Sequence, residues 1–135
     1  MYYKTILTPQ IADSNMTRHI DHTVYIDWFD RARTSMYREM DPTVRFHPHG
    51  LVVVTTSVSY LHETNALSDV EIRTWVKKLG VKSMEIHQDL WQNSKCCAKS
   101  QTVMCGFNLN ERKSEPLVEQ YRQIAEKYAW DEPIL

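Results

Sequence analysis

Ten consecutive residues, Asp13-Ser14-Asn15-Met16-Thr17-Arg18-His19-Ile20-Asp21-His22, carry an amide, two imidazoles, a guanidinium and two carboxylates. They run straight into Val24-Tyr25-Ile26-Asp27-Trp28-Phe29-Asp30-Arg31-Ala32-Arg33, whose apolar residues are spaced as on a helix. A polar turn feeding a helix can aim backbone N–H groups and side chains at one ligand carbonyl. Asn15 cannot be a general base, because an amide has no basicity near neutral pH, but it can donate to a carbonyl or position a water. His19 and His22 are of the residue type that takes up protons near neutrality. Asp21, Thr23, Val24 and Tyr25 stand at the helix start, where unpaired backbone N–H groups can polarise a carbonyl. Glu63 is a further candidate base if its turn lies across a subunit interface from Asn15.

Each of these residues also has a purely structural reading. Asn15 can bond its own backbone in a turn. His19 can simply brace the start of the helix, and His22 can be a solvated surface group. Asp21 can act only as the N-cap, Arg33 as an ion-pairing helix residue, and Glu63 as a polar turn residue. His47-x-His49, with His62 and His87 elsewhere, fits no closed metal motif, so no metal is expected. A nucleophilic cysteine with a histidine partner is not arguable from Cys96, Cys97 and Cys105; Cys105 reads as core, and Cys96 and Cys97 read as loop.

The elements that must position these groups are readable from periodicity. Lys4 to Ala12 alternates loosely and predicts a first strand, with Pro9 marking it as edge or bulged. Thr23 to Met40 predicts the longest helix, with Val24, Trp28, Phe29, Ala32, Met36, Tyr37 and Met40 on its apolar face and Asp41-Pro42 ending it. Four strands follow. Leu51 to Leu61 places Val52, Val54, Thr56, Val58 and Tyr60 on one face. Val70 to Leu79 places Val70, Ile72, Thr74 and Val76 together, and Gly80 turns it into Ser83 to Trp91, with Met84, Ile86, Gln88 and Leu90 alternating. Ser100 to Leu109 places Val103, Cys105, Phe107 and Leu109 on one face. A closing helix starts near Pro116, with Leu117, Tyr121, Ile124, Ala125 and Tyr128 on its apolar side. One long helix beside a five-stranded, mainly antiparallel sheet predicts an α+β fold with the sheet wrapped on the helix.

Bulk composition narrows the function classes. At 135 residues and 42% hydrophobic, the chain fits one domain over residues 1–135. A net charge of −1 without like-charge blocks gives no electrostatic footprint for nucleic acid or an anionic membrane. The longest plain apolar run, Leu51 to Val54, is far too short to span a bilayer, and the opening residues lack the pattern of a secretory signal. Three cysteines, two of them adjacent, make a poor disulfide framework and point to a reducing cytoplasm.

The motif region and the element order resemble hotdog-fold acyl-CoA thioesterases of the 4-hydroxybenzoyl-CoA thioesterase-like family. These typically read Asp-x-Asp, a few residues, Gly-His-Val-Asn-Asn, then an aromatic-rich helix with Ala-Arg. Asp13, His19, Ile20, Tyr25, Phe29, Ala32 and Arg33 match or nearly match. A weaker match is Val58-Ser59-Tyr60-Leu61, then Asp69, then Leu79-Gly80-x-x-Ser83, which resembles the hairpin that often lies near bound coenzyme A; there Lys82 and Ser83 are candidate substrate contacts, alongside Lys77 and Lys78. The departures are Asn15 for the usual Asp, Arg18 for Gly, Asp21-His22 for Asn-Asn, and His62-Glu63 for Pro-Ala. His22, seven residues after Asn15, has the spacing of a second functional histidine in one bacterial branch. Arg33, eighteen residues after Asn15, resembles a polyketide-associated branch that uses Asn and Arg without the acid.

The resemblance implies a hotdog fold, a homodimer or homotetramer, and hydrolysis of an acyl-CoA or acyl carrier protein thioester. Coenzyme A would be part of the substrate, and no separate cofactor is implied. Water would attack a carbonyl held at the helix N-terminus, with Asn15 orienting and His22 or His19 moving the proton. The alternatives are a hotdog protein that binds an acyl thioester without turnover and, as a third reading, an enoyl-CoA hydratase or dehydratase. The hydratase motif Asp-x-Asn-Pro-x-His-x-Asp is echoed by Asp13-Ser14-Asn15 and His19-Ile20-Asp21, with one extra residue and no proline.

Overall fold

The computed structural model describes residues 1–15 and 17–130; Met16 of the polar turn and residues 131–135, the end of the expected single-domain span, lie outside the described residues. The elements are β1 (Tyr3–Leu7), α1 (His22–Met40), β2 (His49–Tyr60), β3 (Val70–Leu79), β4 (Ser83–Gln92), β5 (Lys95–Asn108), the two-residue β6 (Lys113–Ser114) and α2 (Glu119–Lys127). The main strands form one antiparallel sheet in the order β1-β3-β4-β5-β2, and β6 adds to β5. The architecture is the expected α+β hotdog arrangement, five main strands curled on a long helix.

The helix forms because its bulky stripe has a sheet to bury it. Tyr25, Trp28, Phe29, Ala32, Met36 and Met40 are all buried. The N-terminal half of α1 packs with Ile20 on Val70, Ile72, Leu90 and Ala98, and the C-terminal half on Val76, Met84, Ile86, Met104 and α2. The first of these clusters carries the polar turn. Asp41 ends the helix as its C-cap and turns the chain by accepting from the N–H groups of Thr43 and Phe46.

Several expectations are corrected. The first strand stops at Leu7 rather than reaching Ala12, and Ile11–Asp13 instead forms a single 3-10 turn. The closing helix starts at Glu119, beyond Pro116. In β2 the pairing skips a residue between Val53 and Thr55, leaving Val54 as a bulge. The extra residue inverts the alternation, so Leu51 and Val53 share the inner side with Thr56 and Val58, while Val54 is exposed. In β5 the buried set is Ala98, Ser100, Thr102 and Met104, the opposite face from the one expected, and the strand starts at Lys95. Cys105 is therefore only half-buried, whereas Cys97, expected in a loop, is strand and core.

Close approach also dictates Gly106. A Cβ there would sit 2.6 Å from the Glu115 carbonyl oxygen, whose own residue donates its N–H to Gly106 O at 3.0 Å. Gly106→Ala is expected to lower stability by about 1–3 kcal/mol, the range for overpacking a tight site. Gly80→Ala, whose nearest neighbour is a movable Ser83 hydroxyl at 3.2 Å, should cost less. Urea unfolding of both variants checks this; equal midpoints would show that the 115 segment yields freely.

Candidate active site at the start of the central helix

The site is built on Ile20. Its side chain is in the core, and its N–H donates to Thr64 O at 2.9 Å. His19 bridges Asn65 and Ile20 bridges Ser14, so the two arms of the turn, 14–15 and 17–20, pair with each other and lie against the 64–65 segment. The loop closes through Asn15 N–H to His19 O at 2.8 Å and Arg18 N–H to Asn15 O at 3.0 Å, with Arg18 in the left-handed region at φ 66°. This φ is where the related motif carries glycine, and here arginine bears the strain.

Inside the loop, Asn15 Oδ1 accepts from Thr17 N at 3.0 Å and from the Thr17 hydroxyl at 2.5 Å. A backbone N–H only donates, so the atom facing it is the amide oxygen, and the Asn15 NH₂ group is the part left for a ligand. Thr17 Oγ1 also lies 3.2 Å from His19 Nδ1, and His19 Nε2 lies 3.0 Å from Glu63 Oε2. Thr17 has one hydroxyl hydrogen for two acceptors. When it points to Asn15, His19 Nδ1 must donate; when it points to His19, Nδ1 accepts. The hydroxyl thus couples the hydrogen-bond role of His19 Nδ1 to Asn15. Thr17 was not singled out in sequence, although Asn-x-Thr is the local signal of such a turn.

The loop forms one wall of a cleft of about 330 Å³ lined by Asn15, His19, His22, Tyr25, Tyr60 and Glu63, among others. Four of the five proposed catalytic side chains therefore meet within one chain. Glu63 reaches the cleft from the same chain as Asn15. The Tyr25 hydroxyl, buried and raised in pKa by desolvation, bonds the Thr64 hydroxyl at the cleft floor. Tyr60 donates to His22 O at 2.9 Å and stands edge-on to Tyr25, with ring centroids 5.1 Å apart.

At the helix start, the Asp21 side chain accepts from Thr23 N at 2.9 Å and from the Thr23 hydroxyl at 2.8 Å. Asp21 N–H donates to Asp13 O at 2.9 Å and Val24 N–H to Asp21 O at 3.0 Å. Of the candidate oxyanion donors, these three are already engaged. The His22 N–H is left without a protein acceptor among the described residues, beside the cleft its side chain lines.

Other candidates lie apart. Arg33 sits eleven residues down the helix from His22, about 16 Å by helical rise. It is almost wholly buried, paired with Asp30 at 3.0 Å and donating to Tyr37, Gln88 and Thr102. Lys82 and Ser83 lie at the Gly80 turn, at the far end of the ten-residue β3 from the cleft, a run of about 30 Å. Of the other histidines, His49 meets Glu115 and His87 meets Glu85, whereas His62 lines the cleft with His19 and His22.

The sequence profile of the thioesterase-like superfamily matches residues 9–124. Among solved structures, a predicted thioesterase from Bacillus stearothermophilus superposes with a TM-score of 0.93 at 24% identity, covering 98% of this chain and 100% of that one. A hypothetical protein from Staphylococcus aureus, solved in complex with CoA, gives 0.89 at 14% identity over 100% of this chain and 88% of that one. A 1,4-dihydroxy-2-naphthoyl-CoA thioesterase from Synechocystis gives 0.82 at 13% identity over 93% and 96% of the two chains. At these identities the structural matches establish the fold alone. No curated protein matches the chain significantly.

The cap has a pH consequence. The Thr23 backbone and hydroxyl bonds, helped by His22, hold the Asp21 carboxyl below the usual carboxylate range. A depressed folded-state value means that Asp21 stabilises the fold above its unfolded pKa, and this contribution fades as pH falls through the folded value. Asn caps nearly as well as Asp. Asp21→Asn should therefore melt close to wild type at neutral pH but lose less stability between about pH 4 and pH 2. Thermal melts across that window check it, and parallel acid limbs would contradict it.

Proposed function

The chain belongs to the thioesterase-like superfamily, and from that premise we propose that it hydrolyses acyl thioesters of coenzyme A or of an acyl carrier protein. The observation that carries this reading is the convergence of Asn15, His19, Glu63 and the open His22 N–H on one cleft. The thioester carbonyl oxygen sits between the His22 N–H, at the positive end of α1, and the Asn15 NH₂ group. Glu63 holds the Nε2–H of His19, and once the Thr17 hydroxyl turns from Asn15 to Nδ1, that nitrogen is the proton acceptor, as in carboxylate-paired imidazole bases. Water attacks the carbonyl carbon and its proton passes to His19, directly or through the Thr17 hydroxyl. The C–S bond then breaks as the new C–O bond is retained, and the same proton goes to the leaving sulfur. The products are a carboxylic acid and a free thiol. Asn15 orients and polarises but takes no proton.

The chemistry is undemanding because thioesters are intrinsically reactive, so the site can work without the carboxylate its relatives carry at Asn15. The runner-up is binding without turnover, which Asn15 favours because its oxygen is consumed by the loop itself. We further infer that the protein self-associates as a homodimer or homotetramer. β2 is a twelve-residue edge strand with Val52, Val53 and Val54 exposed, an edge that proteins seldom leave open. Three free cysteines accord with the cytoplasm as its compartment.

A thiol-release assay over a panel of acyl-CoA and acyl carrier protein thioesters tests the reading. Wild type should release thiol, and His19→Ala should lose about 10²–10⁴-fold in kcat, the usual worth of a general base. Glu63→Gln should lose less, and Asn15→Asp should change the rate strongly. Binding by calorimetry with no thiol release from any substrate would replace hydrolysis with the binding reading. Full activity in both His19→Ala and Asn15→Ala would show that the site is misplaced.

A further inference from the structure

A second cavity, of about 460 Å³, opens between α1 and β2 and is lined by Ile26, Phe29, Arg33, Val58 and Ser100 among others. It adjoins the Asn15 cleft along the same seam. Val58 lines this cavity and Tyr60, two residues on, lines the cleft; on the helix, Thr23 and Ile26 line the one, His22 and Tyr25 the other. The step from Tyr60 to Val58 is about 6.6 Å by strand rise, and the Tyr60 hydroxyl, on His22 O, stands at the boundary between the two.

Ile26, Phe29, Val53 and Val58 give the walls apolar surface, beside the carboxylates of Asp27 and Asp30, and the floor is polar. Ser100 is 3% exposed, and its hydroxyl has no hydrogen-bond partner. A buried hydroxyl without a partner is costly and calls for one. Beside it, Arg33 uses four of its five N–H groups on Tyr37, Gln88, Thr102 and Asp30. Its remaining Nη2 hydrogen has no acceptor among the described residues. Asp30 already balances the guanidinium charge at 3.0 Å. The floor therefore offers hydrogen bonds without net charge, which suits a neutral oxygen and disfavours a carboxylate.

We propose that this cavity is the acyl pocket and that Ser100 and Arg33 select acyl groups carrying a hydroxyl or keto oxygen partway along the chain. The inference rests on the thioester reading, since it needs the carbonyl in the Asn15 cleft to send the chain past Tyr60. It names a class of acyl group and not one metabolite.

The test compares CoA thioesters of equal length that are unsubstituted, hydroxylated or oxidised to a ketone at successive positions, or terminated by a carboxylate. In wild type, one neutral oxygenated isomer should exceed the unsubstituted chain in kcat/KM by at least about tenfold, because a site built to bond an oxygen rejects chains that lack it. The carboxylate chain should gain nothing. Ser100→Ala should collapse that ratio toward one, and Ser100→Cys, which keeps the side chain's shape with a weaker donor, should fall between. Melting curves show whether both variants fold.

Equal rates for all chains in wild type, or an unchanged ratio in both variants, would overturn the acyl selection while leaving hydrolysis standing. Preference for the carboxylate chain would overturn it too. If no thioester is hydrolysed, calorimetric binding of the same free acids decides. Tighter binding of the oxygenated acid, lost in Ser100→Ala, supports the pocket; indifferent or absent binding overturns it.

Discussion

The placement of Ile20 governs the rest of the cleft. One residue with its side chain in the helix–sheet core and its N–H on Thr64 O joins two loops that are distant in sequence. The burial fixes the depth of the polar turn, and the hydrogen bond fixes its register against the 64–65 segment. His19 then falls beside Glu63, and Asn15 faces outward from a loop of its own hydrogen bonds. Directional polar contacts on an exposed loop are individually weak, so the loop needs an apolar anchor to hold them in one geometry.

The helix cap does the complementary work. Asp21 engages the Thr23 and Val24 N–H groups and Asp13 takes the N–H of Asp21, while the His22 N–H has no acceptor among the described residues. A cap that satisfied every donor would leave nothing for a carbonyl. Here the open His22 N–H lies at the end of the helix whose dipole favours developing negative charge. The buried stripe from Tyr25 to Met40 holds that helix rigidly against the sheet, so the donor is preorganised before any ligand arrives. Farther along the same seam, Arg33 shows the other use of a charge on this helix. It is buried, neutralised by Asp30 and laced to two strands.

Much of this was legible in the residues. The apolar stripe of α1, the alternation of β3 and β4, the Gly80 hairpin and the capping role open to Asp21 all follow from local patterns that the tertiary structure reinforces. Asn15, His19, His22 and Glu63 could be proposed together, but only the fold shows that one chain gathers them and that Arg33 and Lys82 stand elsewhere. The two inverted strand faces had different causes. In β2 a single bulge at Val54 shifts the parity, and a run of valines gives no warning of it. In β5 both faces carry apolar residues, and the side under the helix is the one with smaller and more polar groups, Ala98, Ser100 and Thr102, where Thr102 accepts from the buried Arg33. Hydrophobicity alone picks the wrong face in such a strand. The Thr17 link between Asn15 and His19 depends on loop closure and has no periodic signature.

The central claim is that the His22 N–H and the Asn15 amide polarise a thioester carbonyl. Its most direct measurement is the carbon-13 resonance of the labelled carbonyl in a non-hydrolysable ketone analogue of an acyl-CoA, bound to the protein. The account predicts a downfield displacement from the value in water, reduced in Asn15→Ala, with the His22 amide proton shifting on binding. A bound carbonyl resonating as it does in water, with the His22 amide unmoved, would contradict it.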